Sequence, residues 1–532
     1  MGLAYPPIDF YLLIFAGYVL FLNILENCEN YKQVFFRSYI VYLVFDLVAV
    51  SWLALSGLRE NADRFLILGG TLTMILHSVY LTFSSLAYFF LKKNFSPKKY
   101  PWFHLIYFPL VWLAYEYISC RSEISFPWIL AGNSFTTNLD KIQFIEYTGV
   151  FGLSFWIFVI STLIFYLYKK LDGNISNLKN KKILTVVLII LLLYILPNIL
   201  TKLFFNANNY PAKEKINVTV LQPNINPWHK WEERPDKLVS EYDSMITDVM
   251  KNKKEKIDLI VLPETAFTFS ILYPFYDDKY TVIQNLCDSI NTPILSGTND
   301  VKVYDDSSKA RQDSKKFKSN GLYYDDFNAS ILFEPFKDKS LIQRYAKIKL
   351  VIASERMPYQ EKIPFLKNLI TWGVGLSSYS TGIDTTIFLL NNKYKFNTAI
   401  CYESIYSDFF SRFIDKGAEF SVIITNDGWW GKLFGTYQHN QFALLRAIEN
   451  RRWIVRCANT GISDIIDPWG NMYDKTPINE KTSFTDEVGI RDEKTFYTKH
   501  GDVMWLCVTY IVVVLIIAGA FMKIYRKISK RN

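Results

Sequence analysis

Residues 397–404 read Asn-Thr-Ala-Ile-Cys-Tyr-Glu-Ser, and the polar half of the chain can be interpreted outward from this stretch. Cys401 follows a short β-type run from Tyr394 to Ile400, and a helix-like segment begins near Ser404. A thiol at such a junction lies near backbone amide donors, which favour the thiolate. The stretch therefore predicts a nucleophilic cysteine, with a buried strand cysteine as the alternative interpretation.

Two earlier stretches contain the charged groups that a nucleophilic cysteine needs. Leu-Ile-Val-Leu-Pro-Glu at 259–264 is an apolar run, typical of a strand buried on both faces, and it ends in a carboxylate. Glu264 is therefore expected at a strand end inside a site, where it can act as a general base. Arg-Tyr-Ala-Lys-Ile-Lys-Leu at 344–350 places Lys347 and Lys349 on one strand face. Either lysine could stabilise an oxyanion, and a surface strand end and a solvated face remain the alternatives for the two stretches.

The composition excludes several classes of protein. Of 532 residues, 50% are hydrophobic and 17% are aromatic, which is too apolar for a disordered chain. The net charge of +9 fits basic cytoplasmic loops, and no basic stripe interleaved with aromatic residues predicts a nucleic-acid partner. The six cysteines show no CxxC spacing and the five histidines no HxxxH or HExxH spacing, so neither a disulfide framework nor a metal site is expected.

Long apolar runs predict that much of the chain is integral to a membrane. Each run approaches or exceeds the roughly 20 residues that cross a bilayer as a helix. The seven runs lie at 9–25, 38–57, 65–91, 101–119, 146–168, 183–201 and 503–522.

Clusters of basic residues predict the orientation of these spans. They follow the third, fifth and seventh runs, so one orientation places all of them in the cytoplasm. The lysines concerned are Lys92, Lys93, Lys98, Lys99, Lys169, Lys170, Lys179, Lys181 and Lys182, together with the basic tail after 522. This orientation places the N-terminus and the polar region 202–502 outside the cytoplasm.

The predicted domains are an N-terminal transmembrane domain of six spans at 1–201, an extracytoplasmic domain at 202–502, and a C-terminal span with a basic tail at 503–532. In the second domain, strands and helices alternate but hairpins interrupt them, at 320–350 and at 386–400. The polar run 305–318 is expected to be a mobile loop. The pattern favours an α/β sandwich of mixed β-sheets flanked by helices over a doubly wound parallel sheet.

Short motifs spread over nearly the whole chain are jointly specific. They are Leu-Ala-Tyr-Pro-Pro at 3–7, Phe-Pro-Trp at 126–128, Gly-Val-Phe-Gly-Leu-Ser at 149–154, Leu-Gln-Pro-Asn at 221–224, Leu-Pro-Glu-Thr-Ala at 262–266, Tyr-Ala-Lys at 345–347, Ala-Ile-Cys-Tyr-Glu at 399–403, Thr-Asn-Asp-Gly-Trp-Trp-Gly at 425–431, Gln-His at 438–439, Arg-Ala-Ile-Glu-Asn-Arg-Arg at 446–452 and Ala-Asn-Thr-Gly-Ile-Ser at 458–463. With Glu, Lys and Cys in that chain order, the polar half resembles the carbon–nitrogen hydrolase (nitrilase) superfamily. With the membrane half included, the whole sequence resembles the apolipoprotein N-acyltransferase family of the bacterial envelope.

The resemblance implies roles for particular residues. It implies a catalytic triad of Glu264 as base, Lys347 as stabiliser of the tetrahedral intermediate and Cys401 as nucleophile, and it selects Lys347 over Lys349 by its place after Tyr345. Further residues are implied in two groups: Glu355 and Glu403 as supporting acids, and Trp231, Tyr402 and Trp430 as substrate-binding side chains.

The implied reaction transfers a fatty acyl chain from a membrane phospholipid, through a Cys401 thioester, to the N-terminal amine of a diacylglyceryl-modified apolipoprotein. A thioester is reactive enough to form an amide without a cofactor, so none is expected. The implied location is the bacterial inner membrane, with the catalytic domain in the periplasm. The alternatives are a membrane-tethered amidase or nitrilase acting on a small substrate, and a membrane scaffold with an inactive hydrolase-like domain.

The sequence departs from the family pattern in three places. The family usually has a Val-Pro-Phe-Gly-Glu type run before its supporting glutamate, whereas 351–355 read Val-Ile-Ala-Ser-Glu. The family also usually has eight spans, whereas we count seven. The Leu-Ala-Tyr-Pro-Pro motif normally follows a first span but here begins at residue 3, so that span is expected either to precede this sequence or to be dispensable.

Overall fold

A computed structural model describes residues 1–96, 102–171, 173, 180–205, 210–363 and 379–529. Three lysines of the orientation argument, Lys98, Lys99 and Lys179, lie outside the described residues, as do 530–532 of the basic tail. The chain divides into two compact units. The first comprises Met1–Leu55, Leu66–Asn206 and His500–Asn532, and the second comprises Ser56–Phe65 and Ala207–Lys499. The short segment Ser56–Phe65, which the predicted boundaries assign to the membrane half, thus belongs to the second unit.

The described residues form fourteen α-helices, numbered in chain order. They are α1 Leu13–Glu26, α2 Tyr31–Ala49, α3 Trp52–Leu55, α4 Phe65–Phe95, α5 Tyr107–Ser119, α6 Leu139–Ile142, α7 Ile145–Leu171, α8 Lys181–Phe204, α9 Pro235–Asn252, α10 Asp277–Ile290, α11 Ser407–Asp415, α12 Phe434–Asn450, α13 Phe496–His500 and α14 Val503–Ile528.

Helices α1–α8 and α14 form the first unit, and several are apolar enough to cross a membrane. Four of them are long enough alone: α4, α7, α8 and α14. A fifth span is possible from α2 and the segment Trp52–Leu58, which meet at a bend of 47°. The predicted spans at 9–25 and 101–119 are occupied by the shorter helices α1 and α5, of 14 and 13 residues. All seven predicted spans are therefore helical, and the unit is a multi-span helical membrane domain.

The described residues also form thirteen β-strands, all of them in the second unit's two sheets. They are β1 Glu214–Gln222, β2 Leu259–Val261, β3 Ile294–Tyr304, β4 Lys315–Lys316, β5 Tyr323–Phe333, β6 Gln343–Ala346, β7 Phe388–Leu390, β8 Tyr394–Ile400, β9 Phe420–Thr425, β10 Ile454–Ala458, β11 Asp464–Ile466, β12 Met472–Tyr473 and β13 Thr482–Ile490.

The two sheets are mixed, as the alternation of hairpins and helices predicts. The first has the order β13-β1-β2-β3-β5-β4, with β6 paired to β5, and the second has the order β12-β11-β10-β9-β8-β7. Central neighbours such as β1 and β2, or β8 and β9, are parallel, whereas the hairpin partners are antiparallel. The β7–β8 hairpin turns at Asn391 and Asn392, both with positive φ, as a two-residue hairpin loop requires.

The sheets face each other, and helices cover their outer faces. Between them, the buried Cys457 thiol of β10 donates to the carbonyls of Leu221 and Val261 on the opposite sheet. On the other face of the first sheet, apolar residues of α9 and α10, among them Tyr242 and Ile283, form one core with it. The polar run 305–318 is not a featureless loop, because it includes β4, which extends the first sheet.

Candidate active site

Three strands end close together, and each is followed by one of the predicted catalytic residues. Glu264 follows β2 by three residues, Lys347 directly follows β6, and Cys401 directly follows β8. The Glu264 and Lys347 side chains are buried, and Cys401 is 9% exposed. Polar side chains buried at strand ends need partners, and the site is built from those partners.

The carboxyl of Glu264 is hydrogen-bonded through one of its two oxygens. Its Oε1 accepts from Asn328 Nδ2 at 2.8 Å and from Lys347 Nζ at 3.2 Å. In the described part of the chain, the hydrogen bonds to this carboxyl all end on Oε1, so Oε2 is the oxygen that can take a proton. Thr265 has a φ of 47°, and Gly297 packs against the backbone of Glu264, where a Cβ would lie 2.8 Å from the glutamate Cα. The tight turn at Glu264 and Thr265 therefore fixes the orientation of the Glu264 carboxyl.

Lys347 lies between two carboxylates. Its Nζ donates to Glu355 Oε1 at 2.9 Å as well as to Glu264. Burial by itself lowers the pKa of Lys347, but the charges of Glu264 and Glu355 outweigh it and raise this pKa well above its usual value. Lys347 is therefore a fixed cation. Lys349 lies elsewhere, with its ammonium over the rings of Tyr406 and Phe409, so the structure separates two lysines that strand periodicity leaves equivalent.

Glu355 reaches Lys347 although its loop departs from the family sequence. The loop closes on itself: Val351 N donates to Glu355 Oε2 at 2.7 Å, and Glu355 N donates to Val351 O at 2.9 Å. Ala353 supplies the turn with a φ of 60°. Asn328 Nδ2 also donates to Glu355 Oε1 at 2.9 Å, so this amide bridges both carboxylates.

Cys401 has a left-handed backbone, with a φ of 52°. For a residue other than glycine this conformation costs roughly 1 kcal/mol, so surrounding bonds must hold it. The expectation that the junction favours the thiolate is wrong for the resting chain. Burial raises the pKa of the Cys401 thiol, the charge of Glu264 raises it further, and Lys347 offsets only part of this. The segment after Cys401 is a 3₁₀ turn, Cys401–Ile405, and the α-helix begins at Ser407.

Glu403 connects the turn Cys401–Ile405 to the loop that follows Lys347. Its Oε2 accepts from Ile400 N at 2.8 Å, and its Oε1 accepts from Tyr345 OH at 2.6 Å and from Ile348 N at 2.7 Å. Burial raises the pKa of Glu403, and these donors partly offset the shift. The carboxyl therefore fixes the separation between the residues before Cys401 and those after Lys347.

A second buried chain holds Cys401 from the other side. The carbonyl of Cys401 accepts from Ser404 Oγ at 2.7 Å, and His439 Nε2 lies 3.2 Å from the same oxygen. His439 Nδ1 lies 2.8 Å from Asp427 Oδ1, and Asp427 Oδ2 accepts from Arg456 Nη2 at 2.6 Å. Burial opposes ionisation of Asp427, but Arg456 and His439 outweigh it and hold the pKa of this carboxyl well below its usual range.

A further lysine, Lys230, contacts the backbone of Glu264. Lys230 is fully buried, and its Nζ donates to the backbone carbonyl of Glu264 at 3.2 Å. Burial lowers the pKa of Lys230 to about 7, against the raising effect of the Glu264 charge. This lysine positions the backbone that carries the base.

The three predicted substrate-binding residues occupy different places. Trp231 lines a cavity of about 480 Å³, together with Phe269, Tyr276, Asn299 and Phe317. Trp430 packs its ring against that of His439, with 5.8 Å between ring centroids. Tyr402 is buried beside Tyr406. The cavity is linked to the carboxylate cluster through Tyr379, whose OH donates to Asn299 and whose N donates to Glu355 O.

Sequence reasoning assigned no role to Asn328, Lys230 or the Asp427–His439–Arg456 chain. Asp427 and His439 lie in motifs that carry the family resemblance, although the motifs do not show what these residues contact, and Arg456 lies between two such motifs. Lys230 directly precedes Trp231, but nothing in the sequence shows that its ammonium is buried. Asn328 lies on β5 with no local signal.

Together these groups can perform nucleophilic acyl chemistry. A thiol that is neutral at rest faces a carboxylate with one oxygen open to a proton, and a permanent cation lies beside both. Such an arrangement transfers a proton as the sulfur attacks and stabilises the oxyanion that results. Within the described residues no cluster of His, Cys, Asp and Glu could hold a metal ion.

Both halves of the chain match models of known protein families. A model of the apolipoprotein N-acyltransferase N-terminal domain matches residues 1–163, and a model of the carbon-nitrogen hydrolase family matches residues 217–488. The apolipoprotein N-acyltransferase of Chlorobaculum tepidum is 29% identical over 94% of this chain and 90% of its own length. That of Rickettsia typhi is 30% identical over 74% of this chain and 72% of its own length.

Comparison of structures also returns nitrilase-superfamily proteins. The crystal structure of Saccharomyces cerevisiae Nit3, a member of branch 10 of the nitrilase superfamily, matches 55% of this chain and 95% of its own, with a TM-score of 0.36 and 15% identity.

Proposed function

Because the chain belongs to the apolipoprotein N-acyltransferase family of the carbon–nitrogen hydrolases, we propose that it transfers a fatty acyl chain from a membrane phospholipid to the N-terminal amine of a lipid-modified lipoprotein. The acyl chain passes through a thioester on Cys401. The observation that carries the proposal is the cluster in which Lys347 contacts both Glu264 and Glu355 while its charge and that of Glu264 act on the Cys401 thiol.

In the first half-reaction Cys401 becomes acylated. Glu264 takes the thiol proton on Oε2 as the sulfur attacks the ester carbonyl of the phospholipid. The ester oxygen becomes an oxyanion, and the ammonium of Lys347 stabilises it. When the carbonyl re-forms, the bond to the glycerol oxygen breaks, and that oxygen takes the proton from Glu264. A lysophospholipid leaves, and the thioester remains.

In the second half-reaction the acceptor amine attacks the thioester carbon. The amine gives a proton to Glu264, Lys347 again stabilises the oxyanion, and the carbon–sulfur bond breaks. The thiolate recovers the proton from Glu264, and an amide is released. Because a thioester is more reactive toward an amine than an ester is, the sequence of two transfers needs no cofactor.

The neutral resting thiol suits this order of events. A free thiolate would react with any electrophile that reached it, whereas a buried thiol of raised pKa reacts only when Glu264 removes its proton. The ammonium of Lys347 lies 3.2 Å from Glu264 Oε1, which leaves Oε2 of the same carboxyl for the thiol proton.

The protein is a multi-span membrane protein, and we place its catalytic unit on the periplasmic side of the bacterial inner membrane. Lys92, Lys93, Lys169 and Lys170 end the helices α4 and α7, as expected for cytoplasmic ends. The segment Ser56–Phe65, between the second and third predicted spans, is grouped with the catalytic unit. The predicted span count places this segment and 202–502 on the same side of the membrane, so the grouping supports the span count on which the orientation depends.

The experiment that tests the proposal is intact-protein mass spectrometry of the purified enzyme. Phospholipid alone should add the mass of one acyl chain, which hydroxylamine then releases, and a lipid-modified lipopeptide should remove it as its N-acyl product. Cys401→Ala should show no mass change, whereas Cys287→Ala, which removes another buried cysteine, should acylate normally.

Two outcomes would contradict the proposal. One is an unchanged mass under conditions in which transfer proceeds, and the other is transfer by Cys401→Ala. Rapid loss of the acyl group to water with no lipopeptide present would instead favour a membrane-tethered hydrolase.

A further inference from the structure

Arg59 lies in the segment Ser56–Phe65, which packs into the catalytic unit. Its Nη1 donates to the carbonyl of Gly428 at 2.5 Å, although the two residues are 369 positions apart. At Gly431, a Cβ would lie 2.5 Å from the guanidinium carbon of Arg59. The guanidinium therefore rests directly on the loop 426–431.

This loop leads to the reacting thiol. Asp427, next to Gly428, holds His439, whose Nε2 lies 3.2 Å from the carbonyl of Cys401. Trp430 of the same loop packs against the His439 ring. Arg59 is thus connected to the nucleophile through one short loop and one side chain.

The charge of Arg59 lacks a carboxylate partner within the described part of the chain. Two buried arginines of this unit are paired with carboxylates, Arg456 with Asp427 and Arg446 with Glu449. Burial lowers the pKa of Arg59, and no carboxylate charge acts against that effect. A half-buried guanidinium with one of its five donors used can bind an oxyanion in a bidentate manner.

The surroundings suit a lipid that carries such an oxyanion. Trp429 packs against Trp228 with 4.9 Å between ring centroids, and Phe434 at the start of α12 is 36% exposed. Lys432, next to Gly431, is exposed and adds a second cation. Aromatic side chains beside two cations fit a molecule with an apolar chain and an anionic head.

We propose that Arg59 binds the phosphate of the acyl donor and so helps to select phospholipids over uncharged acylglycerols. This inference rests on the proposed function. In a glycerophospholipid the phosphate and the acyl esters share one glycerol, so a cation fixed beside the site holds the ester within reach of Cys401. Guanidinium and phosphodiester match in charge and geometry, so recognition does not depend on the group beyond the phosphate.

The test compares two acyl donors with the same acyl chains, phosphatidylglycerol and diacylglycerol, by the rate at which each acylates Cys401 in detergent micelles. The wild-type enzyme should prefer the phospholipid. Arg59→Gln should reduce the ratio of the two rates by about tenfold or more, which is the loss expected for a charge-assisted contact. Arg59→Lys should give an intermediate ratio. Arg64→Gln, which removes an exposed charge from the same segment, should leave the ratio at the wild-type value.

The other outcomes overturn the assignment. If Arg59→Gln slows acylation by both donors equally, Arg59 supports the loop and does not select the donor, and if neither rate changes, it does neither. If inorganic phosphate at millimolar concentration lowers the phospholipid rates of the wild type and of Arg59→Gln by the same factor, the phosphate acts elsewhere and Arg59 is not an anion site. Failure of the wild type to react with either donor would instead reject the thioester step itself.

Discussion

Lys347 Nζ lies 2.9 Å from Glu355 Oε1, and both side chains are buried. The same ammonium lies 3.2 Å from Glu264, so one cation is shared by two carboxylates. Removing it would leave two buried carboxylates without their counter-ion, which is costly in a buried site. Glu264 and Lys347, the proposed base and the proposed oxyanion stabiliser, are therefore coupled, and neither can be changed alone.

The first prediction concerns Lys347 and Lys349, both of which follow β6. Lys347→Ala should abolish acyl transfer, with a loss of roughly 10³-fold or more, because it removes the proposed oxyanion stabiliser and leaves the buried carboxylates of Glu264 and Glu355 without their counter-ion. Lys349→Ala should keep most of the activity, because this ammonium lies over Tyr406 and Phe409 and not in the carboxylate cluster. Transfer to a labelled lipopeptide measures both, and the reverse pattern would contradict the assignment.

The second prediction concerns pH and the Cys401 thiol. Since burial raises the pKa of this thiol above its usual value, the thiolate fraction should increase with pH throughout the range from 6 to 9. The rate of alkylation by iodoacetamide should therefore rise without a plateau in this range. A plateau near pH 7 would show that the resting nucleophile is a thiolate. Because Cys507 is also exposed, the modified residue must be identified by peptide mapping.

The third prediction concerns the chain that holds Cys401 from behind. Asp427→Asn breaks the buried ion pair with Arg456 and leaves only the charge of Asp464, on the neighbouring strand, acting on this guanidinium, so unfolding should become easier by about 3 kcal/mol. Asp408→Asn, which breaks a more exposed pair with Arg412, should cost under about 1 kcal/mol. Thermal melting of the purified protein in detergent measures both. Equal melting temperatures for the two variants would contradict a structural role for Asp427.

The fourth prediction concerns the side of the membrane. Cysteine at position 251, at the end of α9, should react with an impermeant thiol reagent on spheroplasts, whereas cysteine at position 170, at the end of α7, should react only after lysis. Each result is compared with the unsubstituted parent to subtract native cysteines. Labelling at position 170 alone would reverse the orientation and place the catalytic unit in the cytoplasm.

Much of the architecture could be predicted from the sequence, because the sequence patterns that indicate it are local. The β7–β8 hairpin follows from two apolar runs joined by Asn-Asn, whose side chains tolerate the positive φ that the turn requires. The membrane helices follow from apolar runs, and the placement of Glu264 and Cys401 after strands follows from where two further runs end. Each of these features depends on residues within about 20 positions of one another.

Which side chains contact one another in the candidate active site depends on the tertiary structure. Lys347 and Lys349 share a strand face in the sequence pattern, and only the packing of β6 near Glu264 and Glu355 distinguishes their environments. The neutral state of the Cys401 thiol depends on burial, which the strand-to-helix junction does not reveal, and so the expectation of a thiolate was wrong. His439 lies 38 positions from Cys401, and Arg59 lies 369 from Gly428. Sequence periodicity reports on neighbours along the chain, whereas charge pairing and desolvation depend on which distant side chains the fold brings into contact.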